Sequence, residues 1–378
     1  MASIKTAISL LFITFILYRI FLAVRSRFYH YLAFRKYGCL PPPSLPQKDP
    51  IFGIDLILEF FRTIRDHCRM QTIQANHARY GHTFQSSPFG SRVVSTIAMR
   101  NIQAVFATDM ESFGIGATRH MSTQPLLGHG IISSDGPRWK RSRGLIQPVF
   151  TRRNLESLEN FEVHVNRMME RIPRNGETVD LRPLFAKLIL DSSSEFIFGE
   201  SVNSLLSDSP ENIKFLECFN YAKSGVGVRF FLGRMRFLYR DKKFWDACKY
   251  VNDWTQKRVD RAIEHDERGE RGERYVLAYE LARQTTDRDA LRQELLNVFF
   301  AAHDSAAIAL TSIMFDLARH PAAWAKLREE VLAQLGMEAP VTFEALKGLT
   351  YLRWVVNESA FAVFPLSAFF SASSTPFP

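Results

Sequence analysis

The sequence predicts a mainly α-helical protein carrying a small β-sheet, and three observations lead there. Apolar residues recur at three- and four-residue spacing, as in Leu155, Leu158, Phe161, Val165, Met168 and Ile172 ahead of Pro173, which is the period of an amphipathic helix. Residues 287–320 contain neither glycine nor proline, so nothing interrupts a helix there. The best strand patterning lies in "HTFQSSPFGSRVVSTIAM", two short runs about a Ser-Pro-Phe-Gly turn. The 378 residues, 46% of them hydrophobic, suffice for a large buried core in one big domain or two ordinary ones.

From the N-terminus, residues 7–24 form an apolar run broken by little except Arg19. That length just spans a bilayer if Arg19 snorkels to the interface. A cleaved signal peptide and an interfacial helix are the rivals, but no small-x-small cleavage site follows the run. Arg25, Arg27, Arg35 and Lys36 crowd its far side, a bias that keeps the following body cytosolic. "CLPPPSLPQKDP" comes next, and its clustered prolines favour an extended, semi-rigid spacer.

Charge and cysteine usage narrow the partners. The net charge of +9 fits nucleic acid, an anionic membrane surface or an acidic protein. No zinc-finger spacing, aromatic-basic strand pattern or basic heptad region is present, so nucleic acid is not expected. Cys39, Cys68, Cys218 and Cys248 stand singly with no CxxC pair, the usage of reduced thiols rather than of a disulfide framework. "EHDERGERGER" reads as a solvated loop or helix end.

The long helix is expected over residues 287–320, with Thr286 at the N-cap position and Pro321 forcing the stop. At ~1.5 Å per residue it would run roughly 50 Å. A second helix follows over residues 322–335 and ends at Gly336. Within the long helix, residues 298–310 are apolar on every face except for His303, Asp304 and Ser305, as in a helix through a core. Asp304 has apolar neighbours at three and four positions either way, so it is expected to point inward, where a carboxylate needs a partner or a task. His303 alone reads as an ordinary satisfied histidine.

A second constellation is "DGPRWKRSRGLIQPVF". Trp139 and Arg143 are four apart and share a helix face. An indole N–H beside a guanidinium suits an anionic oxygen group such as a carboxylate or phosphate; a plain surface cation–aromatic contact is the competing reading.

Taken in order, these stretches resemble the cytochrome P450 family of haem-thiolate monooxygenases. "DGPRWKRSRGLIQPVF" resembles its WxxxR helix, "AAHDSA" its oxygen-activating AGxDTT motif, "LARHPAAWAKLREEVLAQLG" the segment that follows, and "LTYLRWVVNES" the approach to its ExxR helix. The anchor, basic patch and proline hinge are similar to those of microsomal members. "PIFGIDLILEFF" and "LGHGIISSDGPRW" look most like the fungal alkane and fatty-acid hydroxylase branch. The resemblance implies the P450 fold, a haem b iron cofactor, an NADPH-cytochrome reductase partner, an apolar small-molecule substrate, and an endoplasmic reticulum membrane location with one N-terminal anchor. It implies that Trp139 and Arg143 hold a haem propionate and that Ala301 and Ala302 line the cofactor. Asp304 would relay protons to dioxygen, and Ser305 would hydrogen-bond it where the family usually has threonine. Ala302 replaces the usual glycine and Ala306 the second threonine.

The resemblance runs to Glu358, which fits the ExxR glutamate, but Phe361 stands at the arginine position. No FxxGxRxCxG loop is present and no cysteine lies in such a context, whereas haem-thiolate chemistry needs a cysteine thiolate on iron. Residues 359–378 carry no charge and include five phenylalanines. The expected organisation is therefore an anchor and basic patch (1–36), a hinge (37–50), a C-terminally incomplete P450 domain (51–358) and an aberrant tail (359–378). A frameshift, unspliced intron or premature stop after about Ser359 is the expectation for that tail, with no haem binding or hydroxylation by the chain as written. The alternative function is that of a non-catalytic, membrane-anchored helical protein that binds lipid or a partner.

Overall fold

The computed structural model describes residues 2–38, 40–49, 53–150, 158–206, 209–269, 275–337, 341–363 and 368–370. Contacts gather the chain into two compact units, residues 1–108 with 367–378, and residues 109–366. Cys39, Leu155, residues 270–274 of the charged stretch and most of the uncharged tail lie outside the described residues.

In the first unit, α1 (Ala2–Tyr37) is one continuous helix that carries the apolar run and the basic patch together. Phe15, Leu17, Phe21 and Val24 on it are all more than half exposed. Gly38, with φ 65°, ends it in a left-handed conformation that glycine adopts without strain. Two helices follow, α2 (Ile54–Arg65) and α3 (Arg69–Tyr80), then β1 (Thr83–Ser86), β2 (Val93–Thr96) and the short α4 (Met99–Gln103). β1 and β2 pair antiparallel from Thr83↔Thr96 to Ser86↔Val93. The turn between them is the predicted Pro88–Gly90, where Phe89 and Gly90 both take positive φ. His77 on α3 is buried and contacts Ser95 Oγ at 3.0 Å, tying helix to sheet.

The proline-rich segment departs from expectation. Gln85 N donates to Pro43 O at 2.8 Å and Leu45 N to Gln85 O at 2.8 Å. Residues 43–45 thus lie along β1 instead of standing free as a spacer. The physical reason is the unpaired edge of β1, whose N–H and C=O groups accept any extended backbone within reach. Of the tail, Ala368–Phe370 forms β3, antiparallel to β2, so the sheet order is β1-β2-β3.

The second unit is helical throughout its described residues: α5 (Gly116–Leu127), α6 (Gly136–Ile146), α7 (Glu159–Glu170), α8 (Leu181–Phe198), α9 (Pro210–Leu232), α10 (Lys242–Glu267), α11 (Leu277–Ala282), α12 (Arg288–Arg319), α13 (Pro321–Leu335), α14 (Phe343–Gly348) and α15 (Thr350–Val363). Its main core is formed where α8, α9, α10 and α12 meet. Phe215 stacks on Trp254 with ring centroids 3.9 Å apart, and Phe299 from α12 meets Phe219 at 4.9 Å. Gly225 permits this packing, because a Cβ there would strike the Phe244 ring. α12 is the one helix among the described residues long and apolar enough to cross a membrane. Only 17% of its most apolar 18-residue stretch is buried in the fold.

Candidate functional site

α12 organises the site. Its N-cap is Asp287, whose carboxylate accepts from Ala290 N at 3.1 Å. This corrects the expectation of Thr286 by one residue; a carboxylate at the cap also favours the positive end of the helix dipole. Proline follows at 321 and the helix stops as expected. The core-facing stripe runs Leu291, Leu295, Phe299, His303, Ala307. Ala301, Ser305, Ala306 and Ile308 are exposed among the described residues, so residues 298–310 are not covered on every face. Alanine counts as apolar in sequence yet costs little at a surface, which is why the pattern overstated burial.

The stripe also reverses the roles expected of two neighbours. His303 is the deeply buried one, at 7% exposure, its ring 5.2 Å from Phe219. Asp304 sits at the edge, with its side chain 48% exposed. Its Oδ2 accepts from Lys223 Nζ of α9 at 2.5 Å, and its Oδ1 lies 2.7 Å from His303 Nδ1. A carboxylate only accepts, so His303 carries its proton on Nδ1. Burial raises the Asp304 carboxyl, but the hydrogen bond from Lys223 and the field of His303 outweigh it and hold the group below its ordinary value. Burial lowers His303 despite the pull of Asp304. At neutral pH Asp304 is therefore a carboxylate. Lys223 is a residue that sequence reading missed. Its only signal was a lone lysine within the apolar stretch "FNYAKSGVGV".

Ser305 donates its hydroxyl proton to Ala301 O within the helix, at 3.0 Å. That leaves its oxygen lone pairs facing outward beside the small side chains of Ala301 and Ala302.

α6 carries the second constellation. Asp135 precedes it in extended conformation, and Pro137 occupies its first turn, where a missing N–H costs nothing. Trp139 and Arg143 share one face as predicted, with the guanidinium carbon 5.3 Å from the indole centroid. Trp139 is half-buried and Arg143 exposed. Arg143 has no carboxylate partner among the described residues. The pair is thus a cation–aromatic contact with donors left open. α6 is joined to α12 by the Ser142 hydroxyl, which donates to Glu294 Oε1, so both constellations belong to one packed assembly.

The remaining expected residues fare differently. Glu358 on α15 is exposed and has no ion-pair partner among the described residues; the side chain of Phe361 lies outside them. Burial pushes Cys248 up to about 12 and raises Cys218, whereas ligation requires the thiolate. Among the described residues no cluster of three histidine, cysteine or carboxylate side chains could hold a metal ion. The donors of Trp139 and Arg143 suit a carboxylate by their chemistry.

The fold is mainly helical with one small three-stranded sheet. The haem domain of cytochrome P450DA superposes with a TM-score of 0.66 over 85% of this chain and 70% of that one, at 20% identity. The cytochrome P450 family model matches residues 43–360, and the chain belongs to that family. Cytochrome P450 52A13 of Debaryomyces hansenii is 36% identical over 296 residues, 73% of this chain and 56% of its own length. Cytochrome P450 monooxygenase himC of Aspergillus japonicus is 34% identical, covering 85% of this chain and 59% of its own. Cytochrome P450 52A3-B of Candida maltosa is 34% identical, covering 90% and 68%. The chain thus spans between about half and two thirds of the length of these relatives. Haem iron is the family's cofactor.

Proposed function

We propose that this protein has the scaffold of a haem-dependent monooxygenase that hydroxylates an apolar, alkane- or fatty-acid-like substrate with dioxygen and electrons from a reductase, an activity that requires a haem-ligating cysteine loop these 378 residues do not contain. The observation that carries the reading is Ser305 on an uncovered face of α12 with the Asp304 carboxylate at its edge, in the same packed unit as the Trp139–Arg143 pair. The himC relative is itself named a monooxygenase. Trp139 Nε1 and the Arg143 guanidinium would donate to a propionate, and the small side chains of Ala301 and Ala302 leave room beside the cofactor. Bound haem supplies the oxidation chemistry. Asp304, one residue before Ser305, would take up a proton and pass it on once Lys223 releases Oδ2.

The test is cofactor binding. Arg143→Ala removes a charge-assisted hydrogen bond worth ~1.5–3 kcal/mol, so porphyrin affinity is expected to fall about ten- to a hundredfold with folding unchanged. Unchanged affinity would leave Trp139 and Arg143 as a surface contact and favour the non-catalytic lipid- or partner-binding reading.

The exposed apolar surface of α1 and its C-terminal arginines support an endoplasmic reticulum anchor with the body in the cytosol. Removing residues 1–36 is expected to move the protein from the microsomal pellet to the supernatant. A truncated protein that still pellets after a high-salt wash contradicts the anchor.

A further inference from the structure

We propose that Glu294 is a positioning residue, a buried carboxylate that sets how α6 presents Trp139 and Arg143 toward a porphyrin carboxylate. This rests on the reading above and extends it to a residue that touches no cofactor.

Glu294 is 4% exposed. Its two oxygens serve two different elements: Oε2 accepts from Ile131 N at 3.1 Å, and Oε1 accepts from the Ser142 hydroxyl. Among the described residues no cation bonds to it, and Arg141 reaches it only through its field. Ser142 lies one residue before Arg143 and three after Trp139, so the bond to Glu294 pins the rotation of α6 about its own axis. Its neighbours on α12 complete a clamp on the loop before α6. Gln293 Oε1 accepts from His129 N at 2.7 Å and Asn297 Oδ1 from Ile132 N at 2.9 Å, while Asn297 Nδ2 donates to Leu127 O at 2.8 Å. The loop must lie flat against α12 for this. Gly128 and Gly130 allow it, since a Cβ at either would collide with the Gln293 or Asn297 side chain.

A carboxylate is a costly choice for mere adhesion. Burial raises the Glu294 carboxyl, and an uncharged amide, as at Gln293, captures a backbone N–H equally well. A buried acceptor facing two donors instead selects a single arrangement of the helices it joins. Glutamine keeps one oxygen for Ile131 N, and its amide can donate to the Ser142 hydroxyl, which turns to accept. Alanine leaves both donors buried and unpaired.

The experiment measures iron-free protoporphyrin IX binding by fluorescence, alongside hydrogen exchange and thermal unfolding, for the full chain and four variants. Glu294→Ala is expected to weaken porphyrin binding about tenfold, with Glu294→Gln restoring it to within about threefold. Exchange at Ile131 N and through α6 is expected to quicken in Glu294→Ala and recover in Glu294→Gln. If Glu294→Ala does not fold, Ser142→Ala removes one of the two bonds and keeps the one to Ile131 N, and the same weakening is expected. Wild-type porphyrin affinity in Glu294→Ala or Ser142→Ala, while Arg143→Ala binds weakly, overturns the positioning role. If Arg143→Ala also binds as wild type, it is the carboxylate reading of α6 that fails; exchange at Ile131 then decides the clamp, with unchanged protection overturning it and quickened, glutamine-restored exchange supporting it.

Discussion

In a form that carries a haem-ligating cysteine loop, Asp304→Asn lowers hydroxylation turnover by roughly 10²–10⁴-fold, the range expected when a positioned proton-transfer group is removed. Haem content stays at the wild-type level, because Asp304 contacts Lys223 and His303 rather than the open face of α12. The substitution also strips Lys223 of its partner, so the companion variant matters. Lys223→Met breaks the same ion pair but keeps the carboxylate. If the proton is what counts, Lys223→Met retains most of the activity and Asp304→Asn does not. Product formation in a reconstituted assay with reductase and a fatty-acid substrate distinguishes them. Equal losses in the two variants would make the ion pair itself, and not the acid, the essential feature.

Phe299→Ala destabilises the second unit by ~3–5 kcal/mol. The ring is fully buried. It meets Phe198, Phe215 and Phe219 with centroids 5.4, 5.8 and 4.9 Å away. Truncation would open a cavity at the junction of α8, α9 and α12 that these rigid rings cannot refill. Denaturant unfolding followed by tryptophan fluorescence should show a lower midpoint at an unchanged slope. Phe299→Leu keeps most of the volume and should cost clearly less. A loss below about 1 kcal/mol for Phe299→Ala would mean that the aromatic cluster is not packed as described.

Much of the helical architecture was legible because it depends on local rules. The span of α12 follows from a cap residue, an unbroken run of helix formers and a proline. The β1–β2 hairpin follows from alternation around Pro88–Gly90. The pairing of Trp139 with Arg143 follows from helical spacing alone. Asp304 stood out because an acid among apolar neighbours demands an explanation.

Contacts between residues distant in sequence decided the rest. Lys223 reaches Asp304 across 81 positions and Glu294 reaches Ser142 across 152, and no periodicity or composition encodes such a pairing. Which of His303 and Asp304 is buried depended on the rotation of α12 against α8 and α9. One residue turns a helix by about 100°, so the sequence could say that one of the two enters the core but not which. The attachment of residues 43–45 to β1 was hidden for the same reason: proline composition determines that the segment is extended, and only an unpaired strand edge determines where it lies.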